Sequence, residues 1–164
     1  MTDIRLVNRT NLAGIWTDLL YKNGSLDETE QLATAVRVAL LTDRLADADE
    51  TLPDPDSTDR RGWWGDTDAE TIWDGWQIGC KNWLLLRAKI ADANALEGST
   101  LVRAESYTRQ ALQPFIDKAI CSRIDVSARR VGKEQIDVAV VIYRGPLEEI
   151  ELRFQNLWTE TGSH

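Results

Sequence analysis

The sequence predicts an α+β fold with N-terminal strands, about three helices and a C-terminal antiparallel β-meander. Three observations carry this. Alternating apolar residues open and close the chain, which is the period of a strand with one buried face. The middle instead repeats its apolar residues at helical spacing, most clearly over Thr100–Ile120. Turn-forming pairs stand between the last three alternating runs, as hairpins require. Helices first and a run of strands last is the α+β order.

Taken along the chain, Asp3–Val7 alternates and reads as a strand, and Gly14–Tyr21 as a second, with Asn23–Gly24 as a turn. Over Glu28–Leu45 the period lengthens. Leu32, Ala35, Val36, Ala39 and Leu40 share one helical face, and Ser25 or Asp27 suits the N-cap. Ala46–Ala69 is a long polar connection with Pro53 and Pro55, longer than a compact fold carries without a use for it. Gly75–Ile90 returns to helical spacing through Trp83, Leu86 and Ile90. Leu101, Ala104, Thr108, Ala111, Leu112, Phe115 and Ala119 stripe the next helix, where Pro114 should kink it or split off its last turn. Arg123–Val131, Gln135–Tyr143 and Glu149–Trp158 then alternate, with Gly132–Lys133 and Gly145–Pro146 as the turns. The 164 residues fit a single domain over 1–161, and Gly162–His164 reads as a tail or an expression scar.

Composition narrows the function classes. A net charge of −8 opposes binding to nucleic acid or to an anionic membrane surface. No apolar run reaches spanning length and Met1–Thr10 lacks an apolar signal region, so synthesis and folding in a cytoplasm are expected. The one histidine is His164, which removes the usual base for a Ser or Cys nucleophile. Cys80 and Cys121 form no metal-ligand pair and are expected as reduced, partly buried thiols. No phosphate-binding glycine loop is present. The acidic run Asp47, Asp49, Glu50, Asp54, Asp56 and Asp59 fails as a calcium loop: counted from Asp54, the glycine place holds Asp59 and the final glutamate place holds Gly65. It is expected to be solvated. Two carboxylates suffice for a glycosidase, but among 27 acidic residues a pair carries no information. No catalytic residue, metal or cofactor is therefore assigned.

The informative segment is Asp59-Arg60-Arg61-Gly62-Trp63-Trp64-Gly65-Asp66. Two adjacent tryptophans in a polar, glycine-flanked loop are costly unless something covers them. Either they fold back as a lid on their own core, or with the two arginines they anchor a partner, since Trp and Arg dominate interface hot spots. Residue types alone leave both open. This segment, together with DIRLV near the start and Leu41-Thr42-Asp43-Arg44 and Pro53 upstream, resembles the Mu-like phage baseplate family named for Mu gene product forty-six. The likeness continues through Ile78-Gly79, Trp83-Leu84-Leu85, Arg87-Ala88-Lys89, Ala104-Glu105, Ala111-Leu112, Ile116-Asp117, Val141-Ile142-Tyr143-Arg144 and Leu157-Trp158. Asp66–Trp76 is longer and more acidic than that pattern.

The resemblance implies a baseplate wedge subunit similar to the sheath initiators of contractile tails. Its location would be the virion tail baseplate, assembled in the host cytoplasm. Its partners would be other wedge proteins, the tail sheath protein, and tube or hub proteins, with no nucleic acid and no membrane. The expected partner-binding residues are Asp59, Arg60, Arg61, Trp63, Trp64 and Asp66 with Asp43 and Arg44, the two arginines pairing with carboxylates on a neighbour or in the Asp43 region. The expected sheath-docking edge is Leu152, Arg153, Phe154, Leu157 and Trp158. The alternative is a tail-associated muralytic enzyme working through paired carboxylates.

Overall fold

The computed structural model describes the chain except residues 1–5, 12–13, 20, 23–24, 27–30, 73, 87–99, 132–134, 146 and 155–164, and describes side chains only outside 1–31 and 146–164. It is α+β. The chain divides into two compact units, Met1–Val38 and Ala39–His164. In the first, β1 (Leu6–Asn11) pairs antiparallel with β2 (Gly14–Leu19), and β3 (Tyr21–Lys22) pairs with β4 (Ser25–Leu26). The predicted turn at Asn23–Gly24 lies outside the described residues. Ser25 belongs to β4 and pairs with Lys22, so it does not cap the helix that follows. That helix, α1 (Gln31–Leu41), crosses from the first unit into the second. Leu32, Ala33, Val36, Ala39 and Leu40 are buried along it, while Ala35 is half-buried.

The second unit is built on α3 (Thr100–Asp117) and a three-stranded antiparallel sheet in the order β5 (Arg123–Arg130), β6 (Ile136–Arg144), β7 (Leu147–Phe154). Ala104, Thr108, Ala111, Leu112 and Phe115 recur at helical spacing and all are buried, and α3 packs on β5. Alternate residues Ile124 and Val126 of β5 and Ile136, Val138, Val140 and Ile142 of β6 supply the other side of the core. Register puts Val126 opposite Val140 and Ile124 opposite Ile142, so one face of the sheet is continuous. Pro114 lacks an N–H, and the helix runs only three residues beyond it. Its end is satisfied by Ile120 N–H donating to Phe115 O at 2.9 Å, with Ala119 left-handed at φ 56°. Ala119 is consequently exposed rather than part of the apolar stripe.

The predicted helix over Gly75–Ile90 does not form across its described part. Asp74, Gly75 and Gly79 take positive φ, which breaks any helix there, and only a 3-10 turn forms at Lys81–Leu85. The short α2 (Ala69–Ile72) lies earlier, behind a 3-10 turn at Trp64–Asp68. Helical spacing misled here because Trp83 and Leu86 gather around Ala46, Leu84, Leu52 and Tyr107 through tertiary folding. The predicted strand Glu149–Trp158 begins earlier, at Leu147, and is described to Phe154; Leu157 and Trp158 lie outside the described residues.

Candidate functional site

The polar connection is an organised scaffold. Its base is a single parallel bridge between Asp43 and Cys80, in which Cys80 N–H donates to Thr42 O at 2.8 Å and Arg44 N–H to Cys80 O at 3.2 Å. Gly79 makes this possible. At φ 124° it takes a conformation that disfavours any side chain, and a Cβ there would stand 2.7 Å from Arg44 N. Trp83 lies across the bridge and donates from its indole Nε1 to Arg44 O at 2.8 Å. Cys80 is sealed in, and burial pushes its thiol up to about 11, so it is a protonated packing group. Cys121 is likewise free, buried and shifted upward by burial.

Onto this base the motif is clamped by its own charges. Arg61 Nη1 meets Asp43 Oδ2 at 2.5 Å, and its guanidinium covers the Trp83 ring at 4.8 Å. Arg60 turns back to the acidic connection, donating to Asp47 O and, at 2.9 Å, to Ala48 O. Asp59 Oδ1 accepts the Arg61 N–H at 2.8 Å, and Asp66 Oδ1 accepts the Ile78 N–H at 3.0 Å. Of the two destinations expected for Arg61, the chain's own Asp43 is occupied. Arg44 reaches Gln77 Oε1 at 3.5 Å, and its buried Nε has no partner among the described residues.

The tryptophans separate. Trp63 is half-buried, with its ring over Gly65, where any Cβ would collide with it. Trp64 stands 82% exposed, its centroid 5.4 Å from that of Trp63. The neighbouring Trp76 turns inward and meets the Phe115 ring edge-on at 5.2 Å. Two clefts flank Arg61. One of about 290 Å³ is lined by Leu52, Pro53, Asp59 and Trp83; the other, of about 390 Å³, by Leu45, Trp63, Trp64, Asp66 and Gln77.

A second clamp escaped the sequence reading. Lys81 is 2% exposed, and its Nζ bonds Asp47 Oδ2 at 2.6 Å and Glu50 Oε2 at 2.9 Å. Burial alone would lower its pKa, but the two carboxylates outweigh burial and raise it. Asp47 is held below the usual carboxylate range, first by its hydrogen bond from Lys81. The acidic connection is therefore partly a set of counter-ions rather than wholly solvated. The signal was legible: a lysine inside the apolar run Cys80–Leu86 needs a buried partner.

Chemically, these groups hold a surface in place. Asp47 moves down, the opposite of what a general acid needs. Among the described residues, no three His, Cys, Asp or Glu side chains converge to hold a metal ion, and no helix is long and apolar enough to cross a membrane.

What these residues define is an α+β protein whose tryptophan motif is set by an internal ion pair and side-chain hydrogen bonds to the backbone. The chain belongs to the phage protein GP46 family, whose sequence pattern matches residues 32–148. It is 36% identical over 126 residues to baseplate protein gp46 of Escherichia phage Mu, covering 74% of this chain and 79% of that one. It is 29% identical over 138 residues to the Mu-like prophage FluMu protein gp46 of Haemophilus influenzae, covering 83% and 87%.

Proposed function

We propose that this chain is a structural component of a Mu-like phage baseplate, a wedge subunit that docks to neighbouring wedge proteins and initiates the contractile sheath. The observation that carries the reading is the family match over residues 32–148 combined with the baseplate name of the phage Mu relative. The Asp59–Asp66 loop, with Asp43 and Arg44, is the docking face toward the wedge. Arg60 and Arg61 shape that face from within, through Asp47, Ala48 and Asp43.

The C-terminal sheet is the second contact. Its two edges differ. On β5 the outward backbone is already engaged by α3: Glu105 Oε1 accepts Ala128 N–H at 2.7 Å, and Arg109 Nη2 donates to Val126 O at 3.3 Å. On the other side β7 pairs only with β6 among the described residues, with Leu152 opposite Val140, Arg153 opposite Ala139 and Phe154 opposite Val138. An edge strand offers unpaired N–H and C=O groups to an added strand. A sheath strand added to β7 would fix the register of the first ring by backbone pairing.

The test is deletion of Leu152–Trp158 in the phage. We expect the truncated chain to enter baseplates while sheath polymerisation fails, with Arg153→Pro giving a weaker form of the same defect. Normal sheaths on tails containing the truncated chain would sink the sheath-initiator reading. Absence of the intact chain from purified baseplates would sink the baseplate reading itself.

A further inference from the structure

The motif loop ties its cations to its own chain and turns one tryptophan outward. Arg60 is spent on backbone carbonyls, and Arg61 on Asp43 and the face of Trp83. The large apolar side chain left in solvent is Trp64, 82% exposed beside a cleft of about 390 Å³. Trp64 is tied to its turn through the backbone and has one aromatic neighbour. It heads a 3-10 turn in which Thr67 Oγ1 donates to Trp64 O at 2.8 Å, and the Trp63 ring braces it across Gly65. A large apolar group presented rigidly loses little entropy on contact, which is the usual condition of an interface hot spot.

The surrounding charge selects the partner. The turn that carries Trp64 also carries Asp66 and Asp68, and Glu70 follows on α2; Asp68 and Glu70 are exposed. Asp66 lines the cleft; its Oδ1 accepts the Ile78 N–H, and its buried Oδ2 has no donor among the described residues. An uncompensated carboxylate oxygen in a low-dielectric wall favours positive charge nearby. Arg61 shares the wall but is already compensated by Asp43.

We propose that the Leu45–Trp63–Trp64 cleft is the docking site for a cationic segment of a neighbouring protein. That segment inserts one apolar side chain beside Trp64 and sets flanking Arg or Lys against Asp66, Asp68 and Glu70. The proposal rests on the assembly reading above and supplies the chemistry of the partner.

The test titrates the full chain by calorimetry with three short peptides: leucine flanked by arginines, leucine flanked by glutamates, and serine flanked by arginines. Only the first should bind well, and more weakly as salt rises. Trp64→Ala should weaken it roughly tenfold or more without unfolding the protein, because the ring lies in water. Asp68→Lys combined with Glu70→Lys should reverse the preference toward the glutamate peptide. No binding of the arginine–leucine peptide, equal binding of all three, or binding unchanged in Trp64→Ala would overturn the proposal. These outcomes are separate from the baseplate reading, which stands or falls on the chain's presence in purified tails.

Discussion

Two regions of the second unit reach order by opposite means. From Thr100 to Arg144, one helix and the strands after it are held by apolar residues at the spacing each element demands. From Thr42 to Leu86 there is little regular structure, and order comes from charges and backbone bonds: Arg61 on Asp43, Lys81 on Asp47 and Glu50, Arg60 on two carbonyls. The first kind of region is secured by surface removed from water and tolerates changes on its wet face. The second depends on a few directional contacts, so its failures should be local and should depend on pH and salt.

The sharpest way to break the first region is Phe115→Ala. Phe115 is 2% exposed and supports Trp76 as well as the sheet side of α3. A cost of about 3–5 kcal/mol is expected, lowering the urea midpoint for all probes together. A shift below about 1 kcal/mol would mean that α3 is not the centre of the core.

Gly79→Ala attacks the second region at its base. The positive φ and the approach to Arg44 N leave no room for a methyl group. About 2–3 kcal/mol is expected. The loss should appear as faster hydrogen exchange at Arg44 and Cys80 N–H before it appears in β5 and β6. Uniform loss across the sheet would show that the two regions are not separable.

Lys81→Ala comes next. It leaves Glu50 with the Asp47 N–H at 2.7 Å but no cation, and frees the Asp47 side chain; breaking a buried pair costs about 3–5 kcal/mol when both partners are buried. Asp47 is 65% exposed here, so about 2 kcal/mol is the expected figure from the same principle. Loss of protection in Ala46–Glu50, measured by hydrogen exchange, checks it.

The comparison also explains what was legible in the sequence. Period alone gave α3, β5 and β6, because a helix or strand with one buried face must repeat its apolar residues. It failed at Gly75–Ile90, since Trp83 and Leu86 are buried by folding of the connection onto itself and the breaks at Asp74, Gly75 and Gly79 depend on backbone angles no pattern records. The tryptophan motif was visible as an anomaly, yet its polarity was not. Whether Arg61 faces outward or inward turns on Asp43, 18 residues away in the chain and adjacent only after the parallel bridge forms. Lys81 was overlooked for a related reason: its partners lie 34 and 31 residues upstream, in a run that composition alone marks as solvated.

The smallest expected effect is the pH dependence of the Lys81 clamp, and it distinguishes the two regions most directly. Asp47 is depressed in the folded protein, chiefly by the Lys81 hydrogen bond. Its contribution is therefore present above the unfolded carboxylate value of about 4 and is lost as pH falls through the folded value. Lys81 is raised by its two carboxylates against the opposing effect of burial. Its contribution is present below the unfolded lysine value of about 10.4 and is lost as pH rises through the folded one. Wild type should thus exceed Asp47→Asn by a constant amount between these limits, below about 1 kcal/mol because Asp47 is largely in water. The difference should shrink toward zero in acid, where Asp47 is protonated, and again above the lysine range, where Nζ loses its charge. Urea midpoints for both proteins across pH check it, with Leu112→Ala as the apolar counterpart, since Leu112 is fully buried and carries no titrating group. That deficit should stay flat over the same range. A flat difference for Asp47→Asn, or one that grows in acid, would show that the Asp47–Lys81 contact contributes nothing as an ion pair.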